Sequence, residues 1–298
     1  MKNQKIFFLT VLLISVLSCT KDEYNDLFSE PENYRLTKAL TYSNSTDSEP
    51  NTYIEYKYSE DGNLWRELFY TYPLTLFTYR EYDFDSNNQL IEKRIYDGPL
   101  DNIRLGTYRK YEYGDGNLIK EELYLADGTL KRTEYYEYDG ENLVNQYKVD
   151  DKLGIHHQYK YTYNDLDLLI LEESFMYDQE LSSFTKYSYD DNLRMIKTEI
   201  FNHDETITQT IEHKYAGSST LPSEEIYYDS NGNLTQRRQL IYDDFENLTE
   251  TKIITDQGSN TLFKKKFKGK LLIEYITYAP TFGFTELTVT RYEYEKIK

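Results

Sequence analysis

Cysteine is nearly absent from this chain: Cys19 is the only one in 298 residues. A lone thiol closes no internal disulfide, so no crosslink stabilises the fold. Histidine occurs at four positions, His156, His157, His203 and His213. None lies in a His-Glu-x-x-His pattern and no paired cysteines accompany them, so solvated or packed histidines are the expectation and no metal site is assigned. On a regular strand, adjacent His156 and His157 would point to opposite faces. Asp229-x-Asn231-x-Asn233 begins like a calcium loop, but Leu234 stands where glycine is required and Leu240 where the last ligand belongs. No Gly-x-Ser-x-Gly, P-loop or dinucleotide fingerprint occurs, so no cofactor and no catalytic residue is assigned. Basic residues are outnumbered, 34 against 52 acids, for a net charge of −18. Such a field excludes nucleic acid as a partner, because that binding rests on neutralising phosphates. It also opposes adsorption to anionic lipid. No long stretch combines helical periodicity with caps, so few or no helices are expected beyond the first residues.

Tyrosine is what the chain has in excess, 33 residues, with a hydrophobic content of only 39%. A tyrosine ring covers apolar area while its hydroxyl stays hydrated or bonded, so burial here falls largely to tyrosine. These residues recur. Copies read Tyr56-Lys-Tyr58…Gly62-Asn-Leu64, Tyr111-Glu-Tyr113…Gly116-Asn-Leu118 and Tyr136-Glu-Tyr138-Asp-Gly-Glu-Asn-Leu143. The second aromatic returns at Tyr58, Phe84, Tyr113, Tyr138, Tyr163, Tyr189, Tyr215, Tyr242, Phe267 and Tyr294. A period of about 26 residues means a stacked array whose units bury one another. Tyr-x-Tyr sets two rings on one face of a strand. The Asp, Gly and Asn that follow are turn chemistry, and Leu opens the next strand. Each unit is thus a hairpin, and Tyr228-Asp-Ser-Asn-Gly-Asn-Leu234, midway between two copies, suggests a half-unit of ~13 residues. The fold class expected is all-β: an antiparallel meander of about 20 strands from ~26-residue hairpin repeats. It forms a curled single sheet or an open barrel or spiral. Strands such as 131–138 lack a continuous apolar row, which argues against a transmembrane barrel. Residues 36–42 read as a first edge strand and 43–51 as a polar loop. Residues 271–278 form the most apolar strand, and Phe282-Gly-Phe284 interrupts the rhythm.

The start of the chain sets the compartment. Lys2 and Lys5 precede a 12-residue apolar run, Ile6–Leu17, too short to span a bilayer. These are the marks of a secretory signal. Val16-Leu-Ser-Cys19 resembles the lipobox of bacterial lipoproteins, and the resemblance implies cleavage before Cys19 and lipidation of it, palmitate among the acyl chains. Several chains anchor a protein far better than one. Lys21-Asp-Glu23 is similar to a short tag that sends some Gram-negative lipoproteins to the outer face of the outer membrane. The expected organisation is a signal peptide at 1–18, a lipidated Cys19 and flexible tether over 19–33, and a β-hairpin repeat domain over 34–298. Its expected place is the outer membrane of a Gram-negative bacterium, lipid-anchored and cell-surface exposed.

The module Tyr-Asp-x-x-Gly-x-Leu, complete at Tyr228–Leu234, resembles the YD repeat of bacterial Rhs-type proteins. It departs from that family in reading Gly-Asn-Leu for Gly-Arg-Leu. The resemblance implies the β-strip architecture and an association with carbohydrate or surface binding.

A catalytic constellation breaks repeat symmetry, and none is visible in the sequence. The function expected is therefore a non-catalytic, surface-anchored repeat lipoprotein that binds a glycan or partner protein. The alternatives are a glycan hydrolase on the β-repeat scaffold and a purely structural envelope spacer. Candidate ligand-binding residues are Trp65, the sole tryptophan, and the ring rows Tyr111, Tyr113, Tyr136, Tyr138, Tyr161 and Tyr163. Those rows serve the sheet itself as cross-strand aromatic pairs in the competing reading. Lys264-Lys-Lys-Phe-Lys-Gly-Lys270 is the only basic run, suited to an anionic glycan or headgroup, or to a solvated hairpin end.

Overall fold

The computed structural model describes residues 33–297 apart from 74, 99–101, 151–153, 177–178 and 280–284. The expected signal peptide, Cys19 and all but the last residue of the tether lie outside the described residues, as do Tyr177 and the Phe282–Phe284 interruption. Twenty strands are present, and among the described residues there is no α-helix. In chain order they are β1 Tyr34–Tyr42, β2 Thr52–Tyr58, β3 Leu64–Thr71, β4 Thr75–Phe84, β5 Leu90–Asp97, β6 Arg104–Gly114 and β7 Asn117–Leu125. There follow β8 Leu130–Asp139, β9 Asn142–Asp150, β10 Gly154–Tyr163, β11 Leu169–Met176, β12 Glu180–Tyr189, β13 Met195–Asn202 and β14 Ile207–Tyr215. The last are β15 Pro222–Asp229, β16 Leu234–Tyr242, β17 Leu248–Thr255, β18 Gly258–Lys268, β19 Leu271–Ala279 and β20 Thr285–Lys296. The chain divides into two compact units. One takes the described residues of 1–81, 97–104 and 238–298; the other takes 82–96 and 105–237.

In the first unit β17 to β20 pair in sequence, β20 pairs with β1, and β1 to β4 continue the ladder. Residues 36–42 are therefore not an edge strand: β1 is hydrogen-bonded on both sides, to β2 and to β20. Pairing the terminal strands satisfies backbone groups that a free edge would leave open to association. The apolar core of this unit lies here. Leu271, Leu272 and Val289 are almost wholly buried, and Ala39, Tyr42 and Ala279 are buried too. In the second unit β6 to β15 form an unbroken antiparallel meander.

One irregularity recurs in nearly every ladder. Tyr58 pairs with Leu64 while Lys57 pairs with Arg66, so Trp65 is an extra, bulged residue. Ile119, Val144, Ile170, Ile196 and Ile273 occupy the same place in their strands. Phe77, Lys131, Ser182, Thr208, Leu262 and Leu287 do so in the alternate strands. The module is thus one strand plus one turn, as the half-unit suggests, and each of these strands carries a bulge near its start. A bulge breaks the two-residue alternation locally. Leu64 pairs with Tyr58 and Glu67 with Tyr56, so leucine and the residue three positions on share the Tyr-x-Tyr face. Regular alternation would put them on opposite faces.

The longer turns share one geometry. In Asp229–Asn233 the Asp229 amide donates to the Asn233 carbonyl and the Gly232 amide to the Asp229 carbonyl. The Asp229 carboxylate accepts the Asn231 and Asn233 amides at 2.9 and 2.8 Å. Its side chain is thereby occupied in the turn. The fourth residue is left-handed, with φ of 77° at Gly232. Unlike the expectation that Gly or Asn takes this place, Leu193, Glu205 and Glu246 hold it in equivalent turns, at 63°, 65° and 68°. The flanking ladders over-determine these turns, so the strain is tolerated.

Opposite substitutions should therefore have opposite effects. Glu205→Gly relieves a left-handed side chain and should raise stability by about 0.5–1 kcal/mol, net of glycine's chain entropy. Gly232→Ala places a Cβ with no atom within 4 Å, so only backbone strain remains, and stability should fall by about 1 kcal/mol. Urea midpoints of the two variants check both signs.

Candidate functional site

The second unit shows how the repeat disposes its chemistry. Tyr111 stands opposite Glu121, Tyr136 opposite Gln146, Tyr161 opposite Glu172 and Tyr187 opposite Thr198. The Tyr-x-Tyr face is thus a polar interior of phenols and acids. Glu121 and Glu134 stand directly opposite one another, an unfavourable pairing unless compensated. Arg109 ion-pairs with Glu121. Glu134, a buried residue, has Lys148 at 3.3 Å and accepts the Gln146 amide. Gln146 in turn accepts the Tyr161 hydroxyl at 3.3 Å, and Tyr187 donates to Glu172 at 3.2 Å. The first unit repeats the pattern with Glu67, buried, held by Arg80 at 3.2 Å.

In five copies the second tyrosine has a fixed partner. Tyr163, Tyr189 and Tyr215 donate to the carbonyls of Leu143, Leu169 and Met195 at 3.0, 2.8 and 2.7 Å. In the first unit Tyr58 and Tyr294 donate to Leu36 and Leu272, both at 2.9 Å. Each carbonyl lies near the start of the preceding strand, so every phenol ties a strand end to its neighbour's beginning. Tyr113 departs from the rule, its buried hydroxyl having no hydrogen-bond partner. Burial pushes these phenols up: Tyr58, Tyr113 and Tyr187 to about 12. Tyr111, Tyr136 and Tyr161 rise further, through burial first and then Glu121, Glu134 and Glu172 respectively.

The structure thus brings Tyr111, Tyr113, Tyr136, Tyr138, Tyr161 and Tyr163 together on one face of the second unit, where they pack within the sheet and Tyr161 and Tyr163 also hydrogen-bond to it. Trp65 lies in the first unit, at the β3 bulge, 37% exposed. The Arg66 guanidinium covers its ring at 4.3 Å. His156 is a bulged residue too, so strict alternation fails there, and its ring lies 6.3 Å from that of His157. His213 takes a tyrosine place in the repeat, 3.2 Å from the Thr198 hydroxyl and 3.9 Å from Glu225. Burial lowers its pKa against the pull of Glu225. Among the described residues no three His, Cys, Asp or Glu side chains group to hold a metal. The basic run closes a hairpin: Lys264–Lys268 is the last part of β18 and Gly269-Lys270 is the turn into β19, while alternation sends Lys264 and Lys265 to different faces. Lys265 stands among Phe263 and Tyr275, where burial lowers its pKa.

The opposite face carries features that sequence reasoning missed. Tyr108 stacks on Tyr124 at 4.8 Å, Tyr135 on Tyr147 at 5.0 Å and Phe184 on Phe201 at 4.5 Å, each a directly opposed pair. Lysines sit over these rings. Lys110 is 5.9 and 5.6 Å from Tyr108 and Tyr124, and Lys186 is 5.3 and 5.0 Å from Phe184 and Phe201. Lys160 is 4.9 Å from Phe175. All three lysines are exposed. Each lies three residues before the second aromatic of its copy, a signal present in the sequence but hidden under the stronger Tyr-x-Tyr rhythm.

No family model matches the chain, and no curated protein does. Among solved structures, a porin-like protein from Bacteroides uniformis is similar at 12% identity and a TM-score of 0.37, over 87% of this chain and 96% of that one. A porin-like protein from Bacteroides vulgatus is similar at 11% identity and a TM-score of 0.32, over 87% of this chain and 98% of that one. The Tc holotoxin pore of Photorhabdus luminescens is similar at 12% identity and a TM-score of 0.37, over 82% of this chain. This chain spans only 15% of that toxin chain. Scores of this size carry neither fold nor function across.

Two outcomes test the tyrosine assignment. Tyr163→Phe leaves the Leu143 carbonyl without its donor and should cost about 1 kcal/mol in urea unfolding. The phenols at about 12 in the fold ionise near about 10 in the unfolded chain. Their contribution to stability is complete below that lower value and is lost as pH rises through the upper one. Alkaline titration of tyrosinate absorbance should show an early exposed class and a late class that ionises with loss of the sheet signal.

Proposed function

We propose that this chain is a non-catalytic repeat lipoprotein, anchored through Cys19 in the outer membrane of a Gram-negative bacterium, that binds a glycan with its repeat array. The observation that supports this reading is the disposition of the two faces of the second unit. The Tyr-x-Tyr face engages its own hydroxyls and acids. The opposite face presents stacked aromatic pairs and exposed lysines in repeat register. Extended surfaces of repeated residues are how stacked arrays engage long ligands. The likeness of Tyr228–Leu234 to YD repeats points the same way, as analogy.

One observation favours a glycan hydrolase instead. Glu121 and Glu134 face each other across neighbouring strands, and paired carboxylates are the requirement for that chemistry. Their ion pairs with Arg109 and Lys148 suit a structural role better than proton transfer.

A glycan array followed by product analysis of each hit separates these readings. The expected result is binding without turnover; released product abolished by Glu134→Gln would establish the hydrolase. Metabolic labelling with a fatty acid should mark the protein, and Cys19→Ala should abolish the label.

A further inference from the structure

The lysines over the aromatic pairs share one repeat position. Three residues before the second aromatic stand Glu55 and Glu81, then Lys110, Tyr135, Lys160 and Lys186, then Glu212, Gln239, Lys264 and Arg291. The stretch from Lys110 to Lys186 is thus flanked by acids, Glu81 and Glu212, in a chain of net charge −18. Each lysine has a glutamate directly opposite: Glu122, Glu173 and Glu199. Yet two of those acids are taken by other lysines, Glu122 by Lys120 at 2.7 Å and Glu199 by Lys197 at 2.5 Å. Among the described residues no carboxylate lies within ion-pair distance of Lys110, Lys160 or Lys186, and their partners are ring faces.

Ring orientation decides what this strip can offer. Tyr108 and Tyr124 are within 5° of parallel, Phe184 and Phe201 within 7°. Their faces are turned on one another and capped by ammonium groups, so flat stacking of a sugar on those same faces would compete with contacts already made. What remains available is the ammonium itself, held in place by cation–π attraction.

The register sets the spacing. Lys110 is level with Glu122 and Thr133, two residues short of Tyr135. Lys160 is level with Glu173 and Phe184, two short of Lys186. Two strands across and two residues along make roughly 12 Å per repeat, comparable with two sugar units. The stripe is one side chain wide, with Glu112, Glu122, Glu173 and Glu199 beside it. A bilayer surface would press its charge on all of those acids, whereas a linear chain on the diagonal passes beside Glu122 and Glu173, the first of them paired with Lys120.

Resting on the glycan-binding reading above, we infer that Lys110, Lys160 and Lys186 form a diagonal track for a linear anionic glycan with at least one carboxylate or sulfate per two sugars. Tyr135 fills the gap in the track between Lys110 and Lys160.

The test is binding of the lipid-free chain, from residue 20 onward, to immobilised chondroitin sulfate, polygalacturonate and neutral dextran. Anionic vesicles of phosphatidylglycerol and phosphatidylcholine form a fourth arm. The anionic glycans should bind, weakening as salt rises. The triple variant Lys110→Gln, Lys160→Gln, Lys186→Gln should lose about tenfold in affinity. A control removing the same charge at Lys38, Lys57 and Lys214, each paired with an acid, should bind as the parent does. Circular dichroism confirms that both variants keep the sheet, and Lys→Arg at the three stripe positions should retain binding. Equal loss in the two triple variants, or none in either, overturns the track. Binding to dextran alone overturns it while leaving the glycan-binding reading intact. Vesicle binding without glycan binding overturns both, as does binding to none of the four.

Discussion

One extra residue per strand governs how this protein uses its side chains. The bulge after the opening leucine lets Leu64 and Glu67, three apart, reach the same face as Tyr56 and Tyr58. Without it, alternation would split leucine from glutamate and leave the phenols without acids opposite them. The same insertion offsets equivalent positions by two residues per hairpin, so rows of like residues climb the sheet diagonally. Bulges also increase local twist, which a meander of this length needs in order to bury a face.

The buried face that results is polar. Tyrosine rings supply apolar area, their hydroxyls bond backbone carbonyls, and glutamates are held by arginine, lysine or glutamine. Burying such groups is costly unless every one is partnered. The recurring register supplies most of the partners, the Tyr113 hydroxyl being an exception, which is why one arrangement can be copied along the chain. Among the described residues, a conventional apolar core appears around Leu271, Leu272 and Val289, beside the paired strands β1 and β20. A cooperative lock of that kind is useful at the one junction that local sequence does not enforce.

The division of faces also accounts for how charge is placed. Acids dominate the composition, but many of those described are committed to ion pairs or turns. Lys110, Lys160 and Lys186 sit against rings, with no carboxylate among the described residues at ion-pair distance. A surface of low net basicity can therefore still present discrete cations, because the ring quadrupole holds an ammonium without neutralising it.

Periodicity, hairpin units, turn positions and the ~13-residue half-module were legible from residues 56–64, 111–118 and 228–234, because each is enforced by local chemistry: side-chain alternation, and turns that demand particular backbone angles. The likeness of Leu193, Glu205 and Glu246 to ordinary strand or loop residues concealed their left-handed turns, since the surrounding ladders and not the residue impose that angle. Pairing of Tyr34–Tyr42 with Thr285–Lys296 was invisible, as nothing in a local window encodes a contact between residues some 250 apart. The bulges, and with them the identity of the buried face, were settled only by register. A period of two predicts sidedness along one strand, but which residue stands opposite which depends on hydrogen bonds between strands. The order of residues thus determined the repeat and its strands. Tertiary pairing alone decided that the Tyr-x-Tyr rings face inward among acids while Lys110, Lys160 and Lys186, riding on rings of the other face, are exposed.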